Sequence, residues 1–535
     1  MKVPLTNFDT DNIKLYVERK INRPESQCTM VLIVVSMALL LDNMLYMVIV
    51  PIVPHYMDYM KNKGQSNNES MSMMHTEEGN TQMGLLFACK AIVQLLINPL
   101  SGTVIDRIGY DIPMMIGLII IFVSTSAFAF GQTLEVMFLA RGLQGVGSAF
   151  ADTSGLAMIA DRFTEESSRT TALGIALAFI SFGSLVAPPF GAVLYQYCGK
   201  EFPFFCLAFI ALLDGFLLMM IMKPVRLERR EMKAEGNLPK GTPIQKLFMD
   251  PYIAICAGTL AIANVSLAFL EPTITSWMLS WRPVPSESAI GLIWLPAFFP
   301  HVAGVFVTVK LAAKYPQYQW LMAGIGLALE GISCIFIPFC SNFGYLMIPI
   351  SLLCFGIALV DTAILPTLGY LVDTRHVSVY GSVYAIADIS YSLAYAIGPI
   401  VAGSIVSTIG FTSLNIIVFV VSIAYCPVLY LMRNIYQFGI TKLATDQDPE
   451  IIRPSRKKSY LMNGTSLEAK NLENIHYQNH IEPNSHDFPV EQASLIAKSH
   501  EQSYNSTSTN SQIYSQNKSS SNFSSEEIRK NQYGY

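Results

Sequence analysis

Met30-Val-Leu-Ile-Val-Val-Ser-Met-Ala-Leu-Leu-Leu-Asp42-Asn-Met-Leu-Tyr-Met-Val-Ile-Val-Pro51 is the stretch on which the fold turns. A run of about 20 apolar residues is the length of one bilayer crossing, and this run carries a single carboxylate near its middle. It begins at about Cys28 after a charged segment and passes Pro51 without a small-residue cleavage site, so it reads as a retained signal-anchor helix. A charge at bilayer depth is costly, which makes Asp42 a functional candidate.

The same criterion applied along the chain predicts eleven further spans. The twelve lie near 29–53, 83–101, 113–130, 135–160, 171–194, 203–222, 251–279, 289–309, 319–338, 345–371, 379–405 and 412–432. Composition agrees: 52% of the 535 residues are hydrophobic and 14% charged, against about 25% charged in soluble chains. With 35 basic and 39 acidic residues the net charge is −4, which points neither to a nucleic-acid-binding polycation nor to an acidic solvating chain. Nine cysteines fall mostly in apolar stretches without a CxxC pair, so neither a zinc site nor a disulfide framework is expected. No P-loop or nucleophile elbow stands outside the spans, so no enzyme, no cofactor and no direct use of ATP are expected.

Basic residues set the orientation. With a cytosolic N-terminus, the cytosolic connections hold Arg107, Arg162, Arg169, the cluster from Lys223 to Lys246, Lys310, Lys314 and Arg375. The opposite loops hold Lys61, Lys63, Lys200 and Arg282, so the positive-inside rule puts both termini in the cytosol. The N-terminal segment 1–28 is then cytosolic, and Asn68-Glu-Ser70 in loop 56–82 is a lumenal glycosylation sequon. Residues 223–250 carry seven basic residues and divide the chain into two sets of six helices, 29–222 and 251–433. From 434 to 535 the sequence is rich in Ser, Asn, Gln and Lys, with too little apolar content to offset ordering entropy, and is expected to be a disordered tail.

Three motifs identify the kind of helical membrane protein. Gly102-Thr-Val-Ile-Asp106-Arg107-Ile-Gly109 joins spans 2 and 3, with Asp106 suited to cap a helix end and Arg107 to pair across the loop. Arg141-Gly-Leu-Gln144-Gly145 lies in span 4, and span 5 carries Gly174, Gly183, Pro188 and Gly191, with Ala187 where the usual pattern has glycine. Together they resemble the loop and antiporter motifs of the major facilitator superfamily, which implies an all-α membrane fold of two six-helix bundles. Small residues alone let helices pack closely, but this does not account for Asp106, Arg107 and Arg141.

Within that superfamily, Asp42 to Pro51, Ser181 to Gly191, Leu270-Glu271-Pro272-Thr273 and Val372 to Asp388 resemble the vesicular amine transporter family. Gly147 to Asp161 is similar to its acetylcholine-carrying members, since monoamine carriers are usually serine-rich there and lack an acid at the Asp152 position. The resemblance covers about residues 29–433. It implies proton-coupled antiport, loading acetylcholine from the cytosol into acidic synaptic vesicles of cholinergic neurons by alternating access. A monoamine/proton antiporter of the same family is the nearer alternative, and a non-transporting membrane receptor or scaffold the more distant one.

Depth selects the candidate residues. At 1.5 Å per residue, Asp42 lies roughly 20 Å from the cytosolic face, Asp361 roughly 18 Å and Asp388 roughly 14 Å, while Lys90 lies roughly 10 Å from the other face of a ~30 Å core. All four gather where alternating-access carriers hold cargo. A quaternary ammonium needs a carboxylate for charge and aromatic faces for its methyl groups. The resemblance implies Asp361 as that carboxylate; Trp294, Phe298 and Tyr391 are candidate aromatic walls, Tyr391 following Asp388 by three residues on the same helical face, and Asn264 is a candidate for contact with the ester. Asp388 paired with Lys90 is expected to couple protons, with Glu271 as a gate or proton entry point and Asp42 biasing the cavity negative. His301, near the midplane, reads either as a titrating group or as a neutral hydrogen-bonded histidine. Asp214 and Glu330 are expected to snorkel or bond locally, and Asp152 and Asp161, toward the cytosolic end of span 4, to pack or gate against Arg162 and not to contact cargo. In the tail, Asp446-Gln-Asp448-Pro-Glu450-Ile451-Ile452 resembles an acidic dileucine signal for sorting adaptors, with Ser455 and Ser459 in a basic setting nearby.

Overall fold

The computed structural model describes residues 24–49, 52, 72–222, 241–281, 293 and 295–436. Trp294, Asn68, Ile451, Ile452 and the tail beyond Tyr436 lie outside them.

Twelve long helices run through the described residues: α1 (Pro24–Met47), α2 (Ser72–Ile108), α3 (Asp111–Phe130), α4 (Leu134–Arg162), α5 (Glu166–Cys198), α6 (Glu201–Ile221), α7 (Pro251–Leu279), α8 (Leu295–Lys314), α9 (Gln319–Phe336), α10 (Phe343–Arg375), α11 (Gly381–Ile409) and α12 (Phe411–Leu429). Ten are long and apolar enough to cross a membrane. The other two are α4, interrupted by Arg141 and Asp152, and α8, which ends in Lys310 and Lys314. Helix α2 extends well past its expected 83–101 at both ends.

Local chemistry starts and stops these helices. Thr133 accepts a hydrogen bond from Val136 N, Asn342 from Gly344 N and Asp250 from Tyr252 N, each satisfying a first-turn donor that has no helical partner. Gly109 at φ 112° and Gly410 at φ 92° adopt the left-handed conformation that lets α2 turn into α3 and α11 into α12 within a residue or two.

Helices α1–α6 enclose one apolar core around Leu41, Leu86, Ile121 and Leu207, and α7 with α9–α12 another around Ile274, Ile350 and Leu353. A third core, with Leu173, Val360 and Leu368, is shared by both sets. The sets meet chiefly where α2 packs on α11 and α5 on α8. Close approach depends on small residues. A Cβ at Gly183 would sit 2.9 Å from the Leu40 carbonyl of α1, and one at Gly145 would collide with the Lys90 carbonyl of α2. Pro188 lies inside α5 between Gly183 and Gly191. Leu96, Leu139, Phe209 and Ile348 point outward and are more than half exposed, as expected of side chains solvated by lipid.

Candidate functional site

Between the two sets lies a cavity of about 240 Å³. Its polar lining comes from eight helices: Asp42 on α1, Lys90 and Gln94 on α2, Asp152 on α4, Ser181 and Ser184 on α5, Asn264 and Glu271 on α7, His301 on α8, Asp361 on α10, and Asp388 on α11. Five carboxyl groups therefore face one lysine, an arrangement that favours a cationic occupant. Tyr46, Tyr391 and Tyr395 supply aromatic surface, with Tyr46 and Tyr395 in edge contact at 5.7 Å.

Lys90 and Asp388 do not form the expected pair. Lys90 Nζ lies 2.6 Å from Asp42 Oδ2, and Ser148 donates its hydroxyl to the other oxygen of Asp42. Asp388 is held instead by Gln94, whose amide nitrogen lies 3.0 and 3.1 Å from its two oxygens and 3.4 Å from Asp152 Oδ2. Gln94 follows Lys90 by four residues and lies on the same face of α2, one turn along. Asp388 is thus level with Gln94, and the lysine is taken by the nearer carboxylate. Asn98, a further turn along, donates to Ser392 of α11 at 3.3 Å. Asp152 belongs to the cavity and not to a contact with Arg162, contrary to the expectation for it.

Asp361 is 5% exposed, and Asn264 reaches it at 3.5 Å while also donating to the Leu260 carbonyl at 2.9 Å. Tyr391 lies against Asp361, its buried hydroxyl without a hydrogen bond of good geometry among the described residues. His301 Nδ1 is 2.7 Å from the Ser181 hydroxyl, joining α8 to α5 across the cavity. Phe298 is not among the lining residues: its ring packs on Phe182 of α5 at 5.6 Å. Arg141 is fully buried, donates to Gln144 at 2.5 Å, and stacks over Tyr46 with its guanidinium carbon 5.7 Å from the ring centre. Glu330 and Asp214 do not snorkel. They are 0% and 4% exposed, and their oxygens meet no hydrogen-bond partner of good geometry among the described residues.

The seam between the two sets closes at the end where the basic connections cluster. Asp106 accepts hydrogen bonds from the Ser382 amide at 3.1 Å and the Ser382 hydroxyl, capping α11 from the α2 end, while Arg107 is exposed. Gly102 abuts Ala385 there. Arg169 of α5, 2% exposed, reaches Asp373 of α10 at 2.9 Å, the Tyr380 hydroxyl at 3.1 Å, and the carbonyls of Ala160 and Phe163. Asp250 bonds Arg375 at 2.8 Å and His376 at 3.0 Å. Burial raises its carboxyl, but those two hydrogen bonds, together with the Tyr252 amide and the Arg375 charge, outweigh burial and hold it below the usual carboxylate value.

Sequence reasoning missed Gln94, Tyr46 and Tyr395. Gln94 was detectable as a polar residue one turn from Lys90. The tyrosines were not, in a chain with 25 of them.

Residues 32–387 match the family model described as Major Facilitator Superfamily. A Drosophila melanogaster protein named vesicular acetylcholine transporter is 57% identical over 451 residues, covering 82% of this chain and 77% of that one. A Torpedo torpedo protein of the same name is 57% identical over 433 residues, covering 78% and 84%. A Danio rerio protein named probable vesicular acetylcholine transporter-A is 57% identical over 419 residues, covering 78% and 80%. Among solved structures, the human organic anion transporter MFSD10 (TETRAN) superposes with TM-score 0.58 at 16% identity, over 75% of this chain and 99% of that one, a likeness of fold alone.

Proposed function

Because the chain belongs to the major facilitator superfamily, and within it to the family of the vesicular acetylcholine transporters, we propose that it loads acetylcholine from the cytosol into acidic synaptic vesicles in exchange for lumenal protons. It is a multi-pass vesicular transporter and not an enzyme. The observation that carries the choice of cargo is the cavity itself, where five carboxyl groups and three tyrosines face one lysine. A permanently charged ammonium has no proton to donate and is held by net charge and ring faces, which this lining offers.

Asp361 is the carboxylate assigned to the cargo, with Tyr391 beside it and Asn264 near enough for the ester. Tyr46 and Tyr395 replace Phe298 as aromatic walls. Asp42, Lys90, Asp388 and Glu271 form the coupling set. Lys90 is bound to Asp42 in this state, and Gln94 keeps Asp388 neighbour to Asp152, so protons and cargo compete for one group of acids. Both termini are assigned to the cytosol, which makes the closed, basic end of the seam cytosolic and this state lumen-facing. Sorting adaptors at Ile451 and Ile452 and a glycan at Asn68 complete the proposal.

The test is uptake of labelled acetylcholine into acidified vesicles containing this chain, with and without a protonophore. Uptake that persists at full rate after the gradient is collapsed removes the antiport reading. Dopamine or serotonin competing as well as acetylcholine itself moves the cargo to the monoamines.

A further inference from the structure

The chain beyond α12 does not leave the molecule at once. Residues Tyr430–Asn434 form a 3-10 turn, Ile435 is 1% exposed in the shared core, and Tyr436 lies across the seam. The Tyr436 hydroxyl donates to Glu166, the first residue of α5. Its ring stacks on Tyr370 of α10, with centroids 4.5 Å apart and planes at 26°. Glu166 also accepts from Gln319 of α9 at 3.2 Å, and Gln319 in turn accepts from Thr367 of α10 at 2.6 Å. One carboxylate of the first six helices is thus gripped by a phenol and an amide of the second six. Arg169, one turn further along α5, holds Asp373 on the same face of the seam.

We propose that Tyr436 is a positioning residue for alternating access, a latch that holds the basic end shut by tying Glu166 to α10. The geometry requires that this end cannot part without breaking the bond, because its two partners are on opposite sides of the opening. Hydrogen bonds to a charged acceptor are roughly twice as strong as neutral ones, and losing this one leaves Glu166, among the described residues, with Gln319 as its cross-seam donor. The stacked ring orients the hydroxyl, so removing oxygen alone spares the packing. Because Tyr436 is continuous with the tail, a load on the tail acts directly on the seam.

This inference rests on the alternating-access reading but not on the identity of the cargo, and its test needs no cargo. Cys354 is a native free cysteine lining the cavity. Sealed vesicles bearing the full chain are treated with a membrane-impermeant thiol reagent from the side carrying the tail, and labelling of the Cys354 peptide is followed by mass spectrometry. Tyr436→Phe and Glu166→Ala should each speed labelling by about tenfold, and Tyr436→Phe should keep a single cooperative unfolding transition like that of the parent. The double variant should label no faster than the faster single one. Unchanged labelling in Tyr436→Phe, or effects that multiply in the double variant, would overturn the latch and leave Tyr436 as packing only. Labelling at the changed rate but no acetylcholine uptake in the unmodified chain would instead sink the cargo reading while leaving the latch in place.

Discussion

Lys90→Met tests which carboxylate the buried lysine serves. In the structure Lys90 is 6% exposed and its ammonium is 2.6 Å from Asp42, so removing it strands a carboxylate at bilayer depth. Breaking a buried pair by deleting one member costs about 3–5 kcal/mol, whereas replacing both by uncharged groups of similar volume is often close to neutral. Ser148 remains bonded to Asp42 and softens the loss, which places the expected cost near the lower end, about 3 kcal/mol. Lys90→Met with Asp42→Asn should therefore regain most of that stability. Lys90→Met with Asp388→Asn should regain little, because Asp388 keeps both bonds from Gln94. The assay is the monodisperse fraction of detergent-solubilised protein after heating, across the three singles and two doubles. Coupling confined to Lys90 and Asp388, with none between Lys90 and Asp42, would refute the pairing described above.

Three further outcomes follow from the same geometry. Asp361→Asn should abolish acetylcholine uptake at matched expression while leaving heat stability near that of the parent, and near-normal uptake would place the cargo carboxylate elsewhere in the cavity. Asp250→Asn should lower thermal stability at pH 7, because a carboxyl held below its unfolded value stabilises the fold above that value. That stabilisation is lost as pH falls through the folded value, so the gap between variant and parent should close below about pH 4, and a gap of constant size would count against the ion pair. Gly145→Ala should cost about 1–3 kcal/mol, since the new methyl meets the Lys90 backbone. A variant as stable as the parent would show that α2 and α4 can separate freely.

Much of the architecture was readable because hydrophobic length and charge placement act locally: Arg141, Asp106 and the glycines of α5 are motif residues recognisable from their spacing along the chain alone. The identity of the cavity acids was legible for a related reason, since a carboxylate set in an apolar run signals a costly burial before its partner is known, and Asp42, Asp361, Asp388 and Glu271 all announce themselves against apolar runs. Partners were not legible. Depth along the membrane normal is one coordinate of three, and an error of one helical turn, about 5.4 Å, moves Asp388 from Lys90 to Gln94. The same missing coordinate explains Phe298, which faces Phe182 and not the cavity, and Asp152, whose distance from the cytosolic face suggested a gate although its side of α4 turns inward. Azimuth is set by which face of each helix finds close packing. At Gly145 the carbonyl of Lys90 itself comes within contact distance of α4, so the small residue of a motif aims the charged residue of the next helix at Asp42.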